Sequence, residues 1–380
     1  TARLRWLTEW RGRMLEELSR SDPAGAALLG ARPPDPAETM RLLGPDETVL
    51  EYVEAGGWLH LFRIERHGVQ AVPHLAAAEP VRELCAWLRF QFGKGVLGEA
   101  HAQRFGGLIT ATIRGYLERL HELLLDPVAG DLDGRIVRIV PHGPLHGLPF
   151  HALERHGTAL IDRCQVAFAP SLAAVGLLGG AALRRGAPLL LAAGDRAAPH
   201  IEEEVERLRR HLPGARVYRG RAATRRALRL GERRPPLLHV ACHGFHVDNG
   251  PWSSGLRLGD AWVSLSELYA LRGTAELVVL SGCETGRGTV YSGDEWVGLV
   301  RGFLQAGARS VVASLWEVHD TSTATLMDDF YRGLAAGSTV AEALAVAQRA
   351  ARRRDPLPLR WAPFVVVGEP GLRIRLGAAA

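Results

Sequence analysis

The sequence predicts an α/β fold, a mostly parallel β-sheet flanked by helices with a smaller unit in front of it, and three observations predict it. From Pro188 onward, short apolar runs alternate with amphipathic stretches, the β-α-β-α order that right-handed crossovers build into a parallel sheet. The runs Pro188 to Ala193, Ala215 to Arg219, Leu237 to Ala241, Glu276 to Ser281 and Ser310 to Leu315 are apolar at most positions, as strands covered on both faces must be. At 380 residues the chain exceeds what one hydrophobic core ordinarily serves, so two units are expected.

Taken in order, Leu4 to Leu18 reads as an amphipathic helix and Ser21 to Pro36 as a proline-bearing linker, so residues 1–40 are expected to be a helical segment ending a preceding array. Residues 41–180 then form the smaller unit and 181–380 the larger one. Thr48 to Val53 and Trp58 to Ile64 alternate across Gly56 and Gly57, the pattern of a β-hairpin. Two helices follow, one carrying Val81, Leu84, Cys85, Leu88 and Phe92 on one face, the other from about Leu108 to Leu125. Arg135 to Val140 and Gln165 to Ala169 read as strands. In the larger unit, Glu202 to Leu212, Thr224 to Leu230, Leu265 to Leu271 and Glu295 to Ala306 read as helices between the apolar runs. Thr339 and Glu342 form a capping box, and Phe364 to Val367 is expected to close the sheet as its last strand.

Composition narrows the function classes. The formal charge is +5 and Lys94 is the sole lysine, so the positive side is almost entirely arginine. The arginines are spread along helices and mixed with acids, as in Glu202, Glu203, Glu204, Glu206, Arg207, Arg209 and Arg210, which disfavours a nucleic-acid groove. No apolar run has the length of a membrane span, and the opening TARLRWLTEWRGRMLEEL lacks the pattern of a signal peptide. Cys85, Cys164, Cys242 and Cys283 show no paired spacing, so a reducing cytoplasm is expected.

In an open parallel sheet, ligands bind beyond the carboxyl ends of the strands. There LLHVACHG sets His243 and Gly244 after one strand, and VVLSGCETG sets Cys283 after the next long one. A thiol nucleophile needs a base to raise its thiolate fraction and amide donors for the oxyanion formed on attack. His243 and Cys283 supply the first two parts, and the adjoining glycines admit a close backbone approach. The bland alternatives are a buried structural cysteine and a solvated histidine. His239, Cys242, His243 and His246 crowd into eight positions as a metal set would. Strand alternation turns Cys242 away from 239, 241 and 243, so no metal site is expected, and no dinucleotide or phosphate-loop motif calls for a cofactor.

HVACHG, LSGCETG, GDEWVGLVRGFLQAGARSVVASLWEVHD and the closing WAPFVVVGEP resemble the CHAT family of caspase-like, separase-related cysteine peptidases. TVLEYVEAGGWLHLFRI and RIVRIVPHGPLHGLPFHAL resemble its first half. The resemblance implies a caspase-like sheet preceded by a smaller, inactive caspase-like lobe. It also implies that Cys283 attacks the peptide carbonyl, that His243 passes the proton to the leaving amine, and that N–H groups of Gly244 and Cys283 hold the oxyanion. Asp320 in SLWEVHD matches the acid that receives a basic P1 side chain of a protein or peptide substrate; otherwise it caps the helix carrying Leu326, Met327, Phe330 and Tyr331. Asp294 and Glu295 are candidates for substrate binding or for charging the first turn of their helix. His142 and His146 echo the His-Gly motif without a following cysteine and read as a structural turn. Such domains often follow TPR repeats, which implies a fused TPR or effector domain, or a regulatory partner. The competing readings are an inactive caspase-like scaffold or interaction module, and a thiol transferase or redox sensor using Cys283.

Overall fold

The computed structural model describes residues 17, 20, 35–93, 99–128, 130, 132–178, 185–194, 200–230, 234–245, 255–271, 273–281, 293–316 and 320–376. The expected helix over 4–18 and most of the linker lie outside them. Asp35 caps helix α1 (Pro36–Leu42), with its carboxylate accepting from the Ala37 N–H. Helix α1 therefore begins at the last residue of the expected linker.

Strands β1 (Glu47–Ala55) and β2 (Trp58–Glu65) form the expected hairpin, turning at Gly56 and Gly57 with φ of 60° and 80°. Only glycine enters two successive left-handed positions without a Cβ penalty, so the pair fixes the register. A third strand, β3 (Gly68–Ala77), was not expected. It is largely exposed and contains Pro73, which an edge strand tolerates and a core strand does not. Helices α2 (Ala78–Gly93) and α3 (Glu99–Leu124) follow, the second beginning nine residues before its expected start. Strands β4 (Ile136–Val140) and β5 (Gln165–Phe168) complete the first half, with His142 and His146 at the short 3₁₀ turn Gly143–Gly147 between them.

The second half runs β6 (Leu189–Ala193), α4 (His200–Leu208), β7 (Arg216–Arg219), α5 (Arg225–Arg229) and β8 (Leu237–Phe245). A hairpin of β9 (Gly255–Arg257) and β10 (Trp262–Ser264) then leads into α6 (Leu265–Tyr269). Strand β11 (Leu277–Ser281), α7 (Gly293–Gln305), β12 (Ser310–Ser314), α8 (Asp320–Ala335), α9 (Val340–Arg354) and β13 (Phe364–Gly368) complete it. Strands β6, β11, β12 and β13 are buried at every position, which explains their unbroken apolar composition. The Thr339 and Glu342 capping box at α9 is formed.

These thirteen strands belong to one mixed sheet, whose main path runs β7-β6-β8-β11-β12-β13-β5-β4-β1-β2-β3, and two short two-stranded ladders lie apart from it among the described residues. Strand β13 does not close the sheet. It lies antiparallel to β12 and passes on to β5 through the single registered pair Val367 and Phe168, so it bridges the two halves. A buried ion cluster reinforces this narrow seam. Arg138 on β4 donates to Glu47 on β1 at 2.7 Å and to Glu369, just past β13, at 3.1 Å. Among the described residues no helix is long and apolar enough to cross a membrane.

Removing the guanidinium would leave two largely buried carboxylates facing one another across the seam. Arg138→Ala is expected to cost about 3–5 kcal/mol of stability, read from the urea unfolding midpoint at neutral pH. A shift below ~1 kcal/mol would show that the cluster does not secure the junction.

Candidate active site

Strands β8 and β11 are parallel neighbours, and the last registered pair between them is Ala241 and Ser281. Directly opposed residues share a face, so His239 and Ala241 lie on the same side as Val279 and Ser281. His243 is the next residue of β8 on that side. Contrary to expectation it does not follow the strand: β8 continues to Phe245, and its final residues pair antiparallel with β9, His243 opposite Arg257 and Gly244 opposite Leu256. His243 is half-buried and Gly244 is buried. Cys242 is buried on the other face, as alternation requires.

Beneath His243 the same face carries a buried polar network. Ser281 Oγ donates to Glu204 Oε1 of α4 at 2.6 Å, and His239 Nε2 lies 3.6 Å from that oxygen. His239 Nδ1 is 2.8 Å from the Tyr331 hydroxyl on α8. Burial pushes the Tyr331 phenol upward, so the hydroxyl keeps its proton and donates to Nδ1. Burial equally pushes His239 down to about 3, which keeps the ring neutral with its remaining N–H toward Glu204. The network thus ties together both candidate strands, α4, and the helix that begins at Asp320.

Sequence reasoning grouped Glu204 with its exposed neighbours Glu202, Glu203 and Glu206, and the structure corrects this. Ile201, Glu204, Val205 and Leu208 are the buried stripe of α4, a spacing of three and four that was legible in the sequence. Ser281 carried a weaker signal, as a polar residue ending an apolar strand two positions before Cys283.

Cys283 lies outside the described residues. Asp294 and Glu295 fall in the first turn of α7 and Asp320 is the first residue of α8, while their side chains lie outside the description. Trp316, four residues before Asp320, is firmly held. It is buried, stacks on Phe92 at the end of α2 with ring centroids 4.0 Å apart, and donates from its indole to Leu359 O at 3.2 Å. His246 also lies outside the description. Among the described residues no group of three or more His, Cys, Asp and Glu side chains is arranged to hold a metal.

The CHAT domain family matches residues 114–369, which is more than half of the chain. Tetratricopeptide repeat protein 28 of Mus musculus is 33% identical over 115 residues, covering 29% of this chain and 5% of that protein. Its Homo sapiens counterpart is 23% identical over 324 residues, covering 66% of this chain and 13% of that protein. The chain thus spans a small part of the length of these relatives. Among solved structures, the Saccharomyces cerevisiae separase-securin complex superimposes with a TM-score of 0.61 at 12% identity, over 93% of this chain and 31% of the matched chain. A sheet of this order with helices on its faces is the caspase-like α/β fold.

Two measurements test the network and the buried neutral histidines of the chain. Tyr331→Phe removes the donor to His239 Nδ1 inside the core and is expected to cost about 1–2 kcal/mol in urea unfolding. His151, buried and hydrogen-bonded to Ala362 O at 3.0 Å, is likewise pushed down, to about 4. The unfolded chain takes up protons at these histidines near their ordinary 6.5 while the native state does not. Their contribution to stability is therefore complete above that pH and is lost as acid carries the protein toward 4 and 3. His151→Gln should flatten the acid slope of stability by up to about 1.4 kcal/mol per pH unit between pH 6.5 and 4. An unchanged slope would mean that His151 is protonated in the folded protein.

Proposed function

The chain belongs to the CHAT domain family, and from that premise we propose that it is a caspase-like cysteine endopeptidase whose nucleophile is Cys283 and whose general base is His243. One observation carries the reading. The parallel register pairs Ala241 with Ser281; His243 is the second residue past that pair on β8, and in sequence Cys283 is the second past Ser281, the last residue of β11. The imidazole therefore stands on a strand adjacent to the one that the proposed nucleophile follows in sequence. In this mechanism His243 takes the thiol proton, the thiolate sulfur bonds to the substrate carbonyl carbon, and the oxyanion is held by the N–H groups of Gly244 and Cys283. Collapse of that intermediate breaks the C–N bond as His243 protonates the leaving amine, and water then releases the acyl group.

The other cysteines support the choice by their chemistry. Cys85, Cys164 and Cys242 are buried, and burial pushes the Cys85 and Cys164 thiols up to about 12, where almost no thiolate exists at neutral pH. Asp320, at the start of α8 beyond β12, receives the Arg or Lys side chain on the acyl side of the cleaved bond, because a partly desolvated carboxylate strongly penalises a ligand that leaves it unpaired. Asp294 and Glu295 charge the first turn of α7 beside that pocket. Residues 1–40 belong to a preceding helical array, 41–180 form a smaller inactive caspase-like lobe, and 181–380 form the active one. The single-pair seam between β13 and β5 supports that division, and the TPR relatives support regulation by a fused repeat or effector domain.

Cys283→Ala and His243→Ala are each expected to abolish cleavage of peptides with Arg or Lys before the scissile bond while leaving the unfolding midpoint unchanged; full activity of either variant would end the assignment. Asp320→Ala should lower kcat/KM for those peptides by about 10²-fold and spare peptides with neutral residues there. A peptidyl-arginine electrophile should label the native protein at Cys283 alone. Failure to label would favour an inactive scaffold, and labelling indifferent to arginine would favour a redox or transfer role.

A further inference from the structure

Strands β8, β9 and β10 set three side chains in a row. His243 is registered with Arg257, and Arg257 with Trp262. Opposed residues of an antiparallel pair lie on the same face, with strands about 4.8 Å apart. Arg257 and Trp262 therefore continue the face of His243 one and two strands further out. Both are exposed, Trp262 by 44%, and the guanidinium carbon of Arg257 lies 5.1 Å from the Trp262 ring centroid, within cation-π range.

The hairpin sits on the flank of β8 away from β11. The Gly259 N–H donates to Ala223 O at 2.9 Å, and its Cα packs against Gly220 so closely that no side chain would fit. Residues 220–223 follow β7, which pairs with β6, and β6 pairs with β8 on the side opposite β11. Across the carboxyl edge of the sheet the order is thus β12, whose following helix begins at Asp320, then β11, β8 with His243, β9 with Arg257 and β10 with Trp262.

The row is also held in place. Leu256, Leu258 and Val263 are buried beneath it, Ser264 and Glu267 form a capping box behind it, and Arg225 donates to Trp262 O at 3.4 Å while pairing with Glu267 at 2.9 Å. The nearby acids are engaged, Glu267 by Arg225 and Asp260 by the Arg225 N–H. No carboxylate among the described residues pairs with Arg257.

We propose that Arg257 and Trp262 form a subsite beside His243 that receives an acidic side chain from the first two residues after the scissile bond. This rests on the endopeptidase reading for its direction, because the residue that protonates the leaving amine must have the departing segment on its side. Arg257 supplies the charge for a carboxylate, and the Trp262 ring holds the guanidinium over it and packs against the stem of the acidic side chain.

The test uses peptides with Arg before the scissile bond and Glu, Ala or Lys at the two positions after it. Wild-type protein should cleave the Glu peptide with kcat/KM about fivefold above the Ala peptide and further above the Lys peptide, a preference that shrinks as salt is raised. Arg257→Glu should reverse the order of Glu and Lys, and Trp262→Ala should weaken it, with the preference for Arg before the bond intact in both. Binding of the same peptides to Cys283→Ala protein, by fluorescence anisotropy, separates the two ideas. Cleavage indifferent to charge after the bond, or binding indifferent to Arg257, would overturn the subsite and leave the peptidase reading standing. Binding that depends on Arg257 in a protein that never cleaves would overturn the peptidase reading and leave a peptide site.

Discussion

The candidate site depends on the register between β8 and β11. Both strands are buried in the centre of the sheet, and a slip of one residue would turn every side chain of one strand to the opposite face. Leu237 and Leu277 through Ala241 and Ser281 are therefore locked by packing on both sides of the sheet at once. A slip would also strand the Glu204 carboxylate without the Ser281 hydroxyl and His239 without the Tyr331 hydroxyl, each an expensive loss in a dry interior. Hydrophobic burial thus holds the strands together, while the polar network specifies which residues stand opposite one another.

The first half of the sheet contributes to that edge from behind. It joins the second half by one strand pair, the Arg138 cluster, His151 on Ala362 O and the pairing of Arg352 with Asp162, and through α2 it stacks Phe92 on Trp316. Trp316 precedes Asp320 by four residues, so the position of α8 is set partly by the N-terminal half. Tyr331, further along α8, reaches back to His239. One helix is consequently referenced to both halves and to the strand that carries His243.

Most of this architecture was legible in the sequence, for reasons specific to each element. Doubly buried strands announce themselves by unbroken apolar runs, and the Gly56 and Gly57 turn by the backbone it needs. β3 was hidden because an exposed edge strand has no face to keep apolar and can carry Pro73. The antiparallel insertion of β13 was hidden because a fully buried strand reads alike in either direction. His243 was singled out as a candidate by its place near a strand end, but pairing of β8 beyond β11 with a short hairpin depends on contacts distant in sequence. Glu204 was obscured by the acidic run around it, though its helical position marked it as inward-facing.

The order of groups along the carboxyl edge gives the proposed reaction a polarity. An acid at α8 and a base-bearing hairpin at β9 stand on opposite flanks of the strand pair, so a peptide with a basic residue before the bond and an acidic one after it meets an opposite charge at each end. Turned around, the same peptide would bring arginine toward Arg257 and carboxylate toward Asp320. An exposed pair such as one with Arg257 is screened by water and salt, so its favourable contribution is small. What the exposed flank adds is repulsion of the wrong orientation, and specificity is a difference between two binding free energies, so a weak favourable contact counts twice when its reversal is unfavourable. Chain direction is the property a peptidase must read before chemistry begins, since only one orientation sets the leaving amine beside His243.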